Sequence, residues 1–314
     1  MTTKAKTTSK KVSKPKKKPV SRFSLARLSG RARVVSLVVL FAVVGTGSFL
    51  YGHTGTTAVS DSTLDASAAG AAASVSCAQY SFTIIHDQNK NPYALNNDRY
   101  GNGNQCASNT NGGTNFTVYS GGTAPAASNN VEAYPNMIRG CSNSKCYSPT
   151  WPKEVGTLPS WLASSRFASN GASGSWDANY DMWFNRTDKI GQSRGTEILI
   201  NLDRANRSQP TIYWSKHNTT IENSAYTLYV IKRSQKFGNT TYNWNFLEYW
   251  RQKATTTTTN LNLTQFMQNA EAWSCPYSSS CIQPTWYWTG VDSGYEIWYG
   301  GYGLTWYNNL IEAE

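Results

Sequence analysis

Asp181, Glu197 and Glu296 lie in three segments that are rich in aromatic residues and nearly free of other charge: "NYDMWF" (179–184), "TEILINL" (196–202) and "GYEIWY" (294–299). Side chains alternate across a β-strand. If these segments are strands, Ile198, Ile200 and Leu202 share one face and Glu197, Leu199 and Asn201 the other. Tyr180, Met182 and Phe184 separate from Asp181 and Trp183 in the same way, and Tyr295 and Ile297 from Glu296 and Trp298. The first set suits a core between two sheets. The second combines carboxylates, an amide and flat rings, which suits a groove that holds sugars: rings stack on apolar sugar faces, and carboxylates and amides bind hydroxyls. Two carboxylates flanking a glycosidic bond can also cleave it. At about 5–5.5 Å apart one attacks and the other protonates, with retention; at roughly 6.5–9.5 Å the outcome is inversion. Glu296, set among Tyr and Trp, suits the acid, because burial and a second carboxylate both raise a carboxyl pKa. Glu197 is then the nucleophile, with Asp181 beside it.

The elements that must carry these residues are short strands. Alternating runs also occur at 115–120, 178–185, 211–217, 225–233, 241–250 and 285–291, separated by turn residues. This pattern predicts an all-β fold, a two-sheet sandwich or jelly roll with a concave substrate groove. One α-helix is expected on its outside. In "NLTQFMQNAEAW", Leu263, Phe266, Met267 and Ala270 form one apolar stripe and Asn262 is the candidate N-cap. The threonines at 255–259 are read as a loop before that helix. The Gly300-Gly301 pair is read as a turn close beside the substrate.

The 314-residue chain has a net charge of +11, but the excess is confined to one end. Of its 29 Lys and Arg, twelve lie in residues 1–33, which hold no Asp or Glu. The other 17 stand against all 18 acidic residues. The folded part therefore carries no electrostatic reason to bind nucleic acid. "VVSLVVLFAVVGTGSFLY" (34–51) follows the basic tail without a charge. It reads either as a signal-peptide core or, if uncleaved, as a signal anchor in the membrane. The basic flank puts the tail in the cytoplasm and the rest outside. Residues 52–76 read as a flexible linker and 77–314 as one domain, expected to be a secreted or surface-anchored monomer. All six cysteines fall in that domain, which favours disulfides over a metal site. The close pairs Cys141/Cys146 and Cys275/Cys281 would bridge locally and leave Cys77 with Cys106.

Several segments, in order, resemble glycoside hydrolase family 12, the small jelly-roll endoglucanases. "NNDRYGNGNQC" (96–106), "VEAYPNM" (131–137), "GCSNSKC" (140–146), "NYDMWF", "RGTEILINL" (194–202) and "SGYEIWYGGYGL" (293–304) each look like a segment of that family. The resemblance implies Glu197 as nucleophile, Glu296 as acid/base and Asp181 as the nucleophile's neighbour. It implies the pairings Cys77–Cys106 and Cys141–Cys146, with Cys275–Cys281 an addition. It implies glucan-binding positions at Asp98, Tyr100, Asp177, Trp183, Leu199, Asn201 and Trp298. Tyr100 stands where the family usually has Trp, Leu199 where it has Met, Asn201 where it has Trp and Asp177 where Asn is expected. The function expected is a retaining endo-β-1,4-glucanase acting on cellulose, mixed-linkage β-glucan or xyloglucan, with no cofactor. The alternatives are a non-catalytic carbohydrate-binding or adhesion domain, or a xylan-active jelly-roll hydrolase.

Overall fold

The computed structural model describes residues 74–100, 105–109, 112–119, 131–142, 145–189, 195–237, 240–273, 275, 277 and 281–314. The basic tail, the apolar segment 34–51 and nearly all of the linker lie outside the described residues. Among the described residues, no helix is long and apolar enough to cross a membrane.

Strands are numbered in chain order. The smaller sheet runs β1 (Ser74–Ser76), β4 (Cys106–Asn109), β5 (Phe116–Tyr119), β17 (Thr305–Ala313), β9 (Trp161–Ala168), β15 (Thr257–Asn262). The larger sheet starts with β12 (Ser215–Ile221), β13 (Ser224–Phe237), β14 (Thr240–Arg251) and β11 (Thr196–Ala205). It continues with β10 (Gly174–Asn185), β16 (Tyr287–Gly300), β6 (Ala133–Ser142), β3 (Pro92–Arg99) and β2 (Ser81–His86). Two short strands sit off this path, β7 (Lys145–Cys146) on β6 and β8 (Lys153–Glu154) on β16. The architecture is the expected two-sheet sandwich.

Side chains alternate as expected on all three carboxylate strands. Tyr180, Met182, Phe184, Ile198, Ile200, Leu202, Tyr295 and Ile297 all lie in the main hydrophobic core. Burying such large side chains supplies most of the drive to fold, on the order of 1.5–3 kcal/mol each. The opposite face of the larger sheet carries its own apolar cluster: Leu199, Tyr229, Ile231, Trp244, Phe246 and Trp250, with Trp183 packed against it.

The helix α1 spans Leu263–Glu271. Asn262 caps it, its side chain accepting from Gln265 N–H at 3.2 Å. Its stripe of Leu263, Phe266, Met267 and Ala270 joins the main core. There the Phe266 ring meets Tyr226 and Tyr249 edge-on, at 5.2 and 5.1 Å. Three disulfides join Cys77–Cys106, Cys141–Cys146 and Cys275–Cys281.

Four details differ from the sequence expectation. Most of the threonine run is strand, not loop: β15 pairs antiparallel with β9 and leads directly into α1. Threonine's β-branching favours extended backbone, and a partner edge was available. The run 211–217 becomes strand only from Ser215. Ile212, Tyr213 and Trp214 are exposed, although Trp214 N–H still reaches Val230 O at 2.7 Å. The runs 285–291 and 294–299 are one strand, β16, which stays paired with β6 through Gly294; a Cβ there would meet Pro135 O at 2.3 Å. The residue is Gly because neighbouring backbone passes close by.

The Gly300-Gly301 pair answers to its own chain in the same way. Both have positive φ, +76° and +83°. A Cβ on Gly300 would meet Ser173 O at 2.2 Å, and one on Gly301 would meet Ile297 Cδ1 at 2.8 Å. Tight packing against the start of β10 and the core demands these glycines.

Candidate active site

The three carboxylate strands are neighbours, in the order β11-β10-β16, at the middle of the larger sheet. Register then sets who faces whom. Across β10 and β11, Trp183 is opposite Glu197, Asp181 opposite Leu199 and Asn179 opposite Asn201. Across β10 and β16, Asp177 is opposite Glu296 and Asp181 opposite Asp292. Residues directly opposite share a face. Glu197, Glu296 and Asp181 therefore project to the same side, away from the main core. Glu197 and Glu296 lie one on each side of β10, level with Trp183 and Asp177. All three carboxylates are buried.

Glu197 is held from the neighbouring strand. β14 runs parallel to β11, and Trp244 donates its indole N–H to Glu197 Oε2 at 2.6 Å. Trp183 donates in turn to Asp181 Oδ2 at 3.0 Å, and the two indoles lie 6.3 Å apart. The other oxygen of Asp181, Oδ1, has no hydrogen-bond partner among the described residues. Burial first, then the charges of Glu197, Asp292 and Glu296, push Asp181 well above the usual carboxylate range.

Glu296 is in the opposite condition. It is fully buried and, among the described residues, neither carboxyl oxygen has a hydrogen-bond partner. Burial is the main cause of a pKa well above the ordinary value; Asp177, Glu248 and Glu197 raise it further, against a lowering by Arg207. A buried carboxyl without donors keeps its proton. The facing Asp177 accepts three N–H donors: Asn179 Nδ2 at 2.7 Å, Asn201 Nδ2 at 2.9 Å and Arg207 Nε at 3.1 Å. The site thus holds Glu197, whose Oε2 accepts from an indole, and Glu296, a buried carboxyl pushed above its ordinary range whose oxygens have no hydrogen-bond partner among the described residues. These are the conditions a nucleophile and a general acid need.

No protein-family model matches the sequence, and no curated protein does. Solved structures do. Endoglucanase cel12A from Rhodothermus marinus is similar with a TM-score of 0.64 at 25% identity, over 77% of this chain and 99% of its own. A metagenome-derived family 12 endoglucanase matches at 0.63 and 24%, over 77% and 98%. A family 12 xyloglucanase from Bacillus licheniformis matches at 0.63 and 19%, over 77% and 100%. The fold is that of glycoside hydrolase family 12.

On this family 12 fold the remaining expected positions fall as follows. Leu199 and Asn201 are buried beside the centre, Leu199 in the apolar cluster and Asn201 bonded to Asp177. Asp177 spends its oxygens on internal partners. Trp298 is buried, with the Arg207 guanidinium 3.7 Å over its ring. Asp98 and Tyr100 form a pair, the Tyr100 hydroxyl donating to Asp98 Oδ2 at 2.6 Å. Burial brings Asp98 up to about 7, the Tyr100 bond working against it. Of the ten expected catalytic and binding residues, only Trp183 and Tyr100 keep partial exposure.

Five further residues shape the site and escaped the sequence reading. Trp244 and Glu248 belong to β14, where Trp244, Phe246, Glu248 and Trp250 alternate onto the same face. That alternation is visible in "WNFLEYW"; what hid it was that nothing local says β14 lies beside β11. Asp292 is four residues before Glu296 on the same face, and burial raises it well above its usual range. Tyr134 of β6 donates to Asn179 Oδ1 at 2.7 Å. Arg207, just past β11, had no periodic pattern to mark it. Among the described residues, no group of His, Cys, Asp and Glu is placed to hold a metal ion.

Proposed function

We propose that this chain is a retaining endo-β-1,4-glucanase, exported or anchored with its folded domain outside the cell, and acting on cellulose, mixed-linkage β-glucan or xyloglucan. The observation that carries the reading is the contrast between Glu197, anchored by Trp244, and Glu296, buried, without a partner among the described residues and pushed by burial toward its protonated form. The likeness to family 12 endoglucanases and a family 12 xyloglucanase supports the substrate class. The basic tail and the apolar run of residues 34–51 support export.

The reaction is a double displacement. Glu197 attacks the anomeric carbon, the bond from that carbon to the leaving sugar's oxygen breaks, and the proton of Glu296 passes to that oxygen. Glu296, now a carboxylate, takes a proton from water; the resulting attack releases the sugar and regenerates Glu197. Asp181, with an unpartnered oxygen beside the nucleophile, holds that corner of the site. The reaction needs no cofactor.

The test is a panel of soluble glucans and xylan, with the anomeric form of the first product followed by NMR. Retained configuration on a β-1,4-glucan is expected. Glucan binding without release of reducing ends would make the chain a binding module, and cleavage of xylan alone would make it a xylanase.

A further inference from the structure

Asp177 and Glu296 face each other across the β10–β16 pair, both fully buried. Two such carboxyls, side by side, cannot both be ionised without a large cost. Their partners are unequal. Among the described residues, Asp177 receives three N–H donors and Glu296 none. A protonated carboxyl must donate its O–H, whereas an ionised one only accepts. Donors alone surround Asp177, so the charge sits there and the proton on Glu296.

One of those three donors is a cation. Arg207 returns over the sheet from a turn at Asn206, whose φ is +52° and whose side chain donates to Gly174 O at 2.8 Å. Its guanidinium lies on the ring of Trp298, two residues after Glu296, and Nη2 is 3.9 Å from Glu248. The geometry points to Arg207 as a positioning residue that holds Asp177 as the anion and so assigns the single proton of the Asp177–Glu296 pair to Glu296. This deepens the proposed hydrolase reading and rests on Glu296 being its acid.

The other groups around the pair act on it without a bond to Asp177 of the kind Arg207 makes. Arg204, opposite Asp177 on β11, feels its charge but donates to Arg251 O at 3.0 Å. Glu197 on β11 and Glu248 on β14 raise the proton affinity of Glu296 and so work in the same direction as Arg207, and Asp181 on β10 is an acid in the same field. Tyr100 after β3 and Tyr134 on β6 are pushed up by burial and stay neutral. Arg233 on β13 feels Glu197, Glu248 and Glu296 together, its guanidinium 4.6 Å over Phe246. Of the pair it feels Glu296, where a cation opposes protonation, so it is not what puts the proton there.

The experiment compares the full chain with Arg207→Gln, Arg207→Lys, Asp177→Asn, Glu296→Gln and the Arg207→Gln/Asp177→Asn double variant. Infrared difference spectra read which carboxyl is protonated. In the wild type, Glu296→Gln removes a protonated-carboxyl band that Asp177→Asn leaves in place. In the Arg207→Gln background, a band sensitive to Asp177→Asn appears. Arg207→Lys keeps the wild-type pattern. In kinetics, Arg207→Gln lowers kcat about tenfold or more with little change in KM, and adding Asp177→Asn restores part of it, since Glu296 is then the only member able to hold the proton. A proton that stays wholly on Glu296 in Arg207→Gln, or a loss of kcat that the second substitution deepens, would overturn the proposal. Should Arg207→Gln not fold, folding of the double variant supports it, and failure of the double variant while Asp177→Asn folds makes Arg207 a packing residue and overturns it. The infrared arm needs no turnover, so it separates this inference from the hydrolase reading.

Discussion

Trp244 donates its indole N–H to Glu197 at 2.6 Å, from a strand that runs parallel to the one carrying the glutamate. A donor on a charged acceptor contributes about 1.5–3 kcal/mol. It also fixes where the attacking oxygen points. Trp244→Phe keeps most of the ring and removes the donor. We expect kcat to fall roughly ten- to a hundredfold with the fold retained, measured by reducing-sugar release on soluble β-glucan alongside circular dichroism. Unchanged kcat would mean that this bond is only structural.

The two glutamates differ in what a substrate can do without them. Glu197→Gln and Glu296→Gln should each abolish hydrolysis of a β-glucan while leaving glucan binding intact. An aryl β-glucoside with a good leaving group needs little protonation. It should give a burst of released phenol in Glu296→Gln, with turnover restored by an added anionic nucleophile such as azide that needs no base, and none in Glu197→Gln. The reverse pattern would exchange the two roles.

The buried carboxyls set the pH dependence. Burial raises Asp98 and Glu248 to about 7, and Asp181, Asp292 and Glu296 move up for the same first reason. In the unfolded chain such groups titrate at about 3.9–4.3. Between that range and about 7 the native state binds more protons than the unfolded state, so stability falls as pH rises through this window. Their contribution is fully present below about pH 4. Thermal melts should therefore give a Tm that declines from about pH 4–5 to pH 7–8. A Tm that climbs over that interval would contradict the protonated assignment. Activity should likewise be lost on the alkaline side, as Glu296 gives up its proton.

Gly300 has φ +76°, and a Cβ there would meet Ser173 O at 2.2 Å. Gly300→Ala should cost on the order of 2–4 kcal/mol, read as a lower denaturation midpoint, through backbone strain plus steric clash. A loss of activity at unchanged stability would return this glycine to the substrate side.

Much of the site could be read locally, because alternation is a property of the chain itself. Wherever Ile198, Ile200 and Leu202 turn inward, Glu197, Leu199 and Asn201 must turn outward, and the same holds around Asp181 and Glu296. The cap at Asn262 and the apolar stripe of α1 are equally local. The errors came where a neighbour decides. The threonines of β15 became strand because β9 offered an edge. Gly294 and the Gly300-Gly301 pair are glycine because neighbouring chain passes close alongside.

By itself the sequence determined which residues share a face, the composition of the core and the set of carboxylates able to do chemistry, since period-2 geometry follows from covalent structure. Tertiary structure alone decided the partners. It placed β14 against β11, giving Glu197 its indole. It set Asp177 opposite Glu296 and brought Arg207 back over the sheet. Register and long-range closure bring together residues far apart in the chain, and the electrostatics of a buried carboxyl depend on which of them arrive. Whether Glu296 is an acid or an anion is therefore a property of its neighbours, and no local pattern carries it.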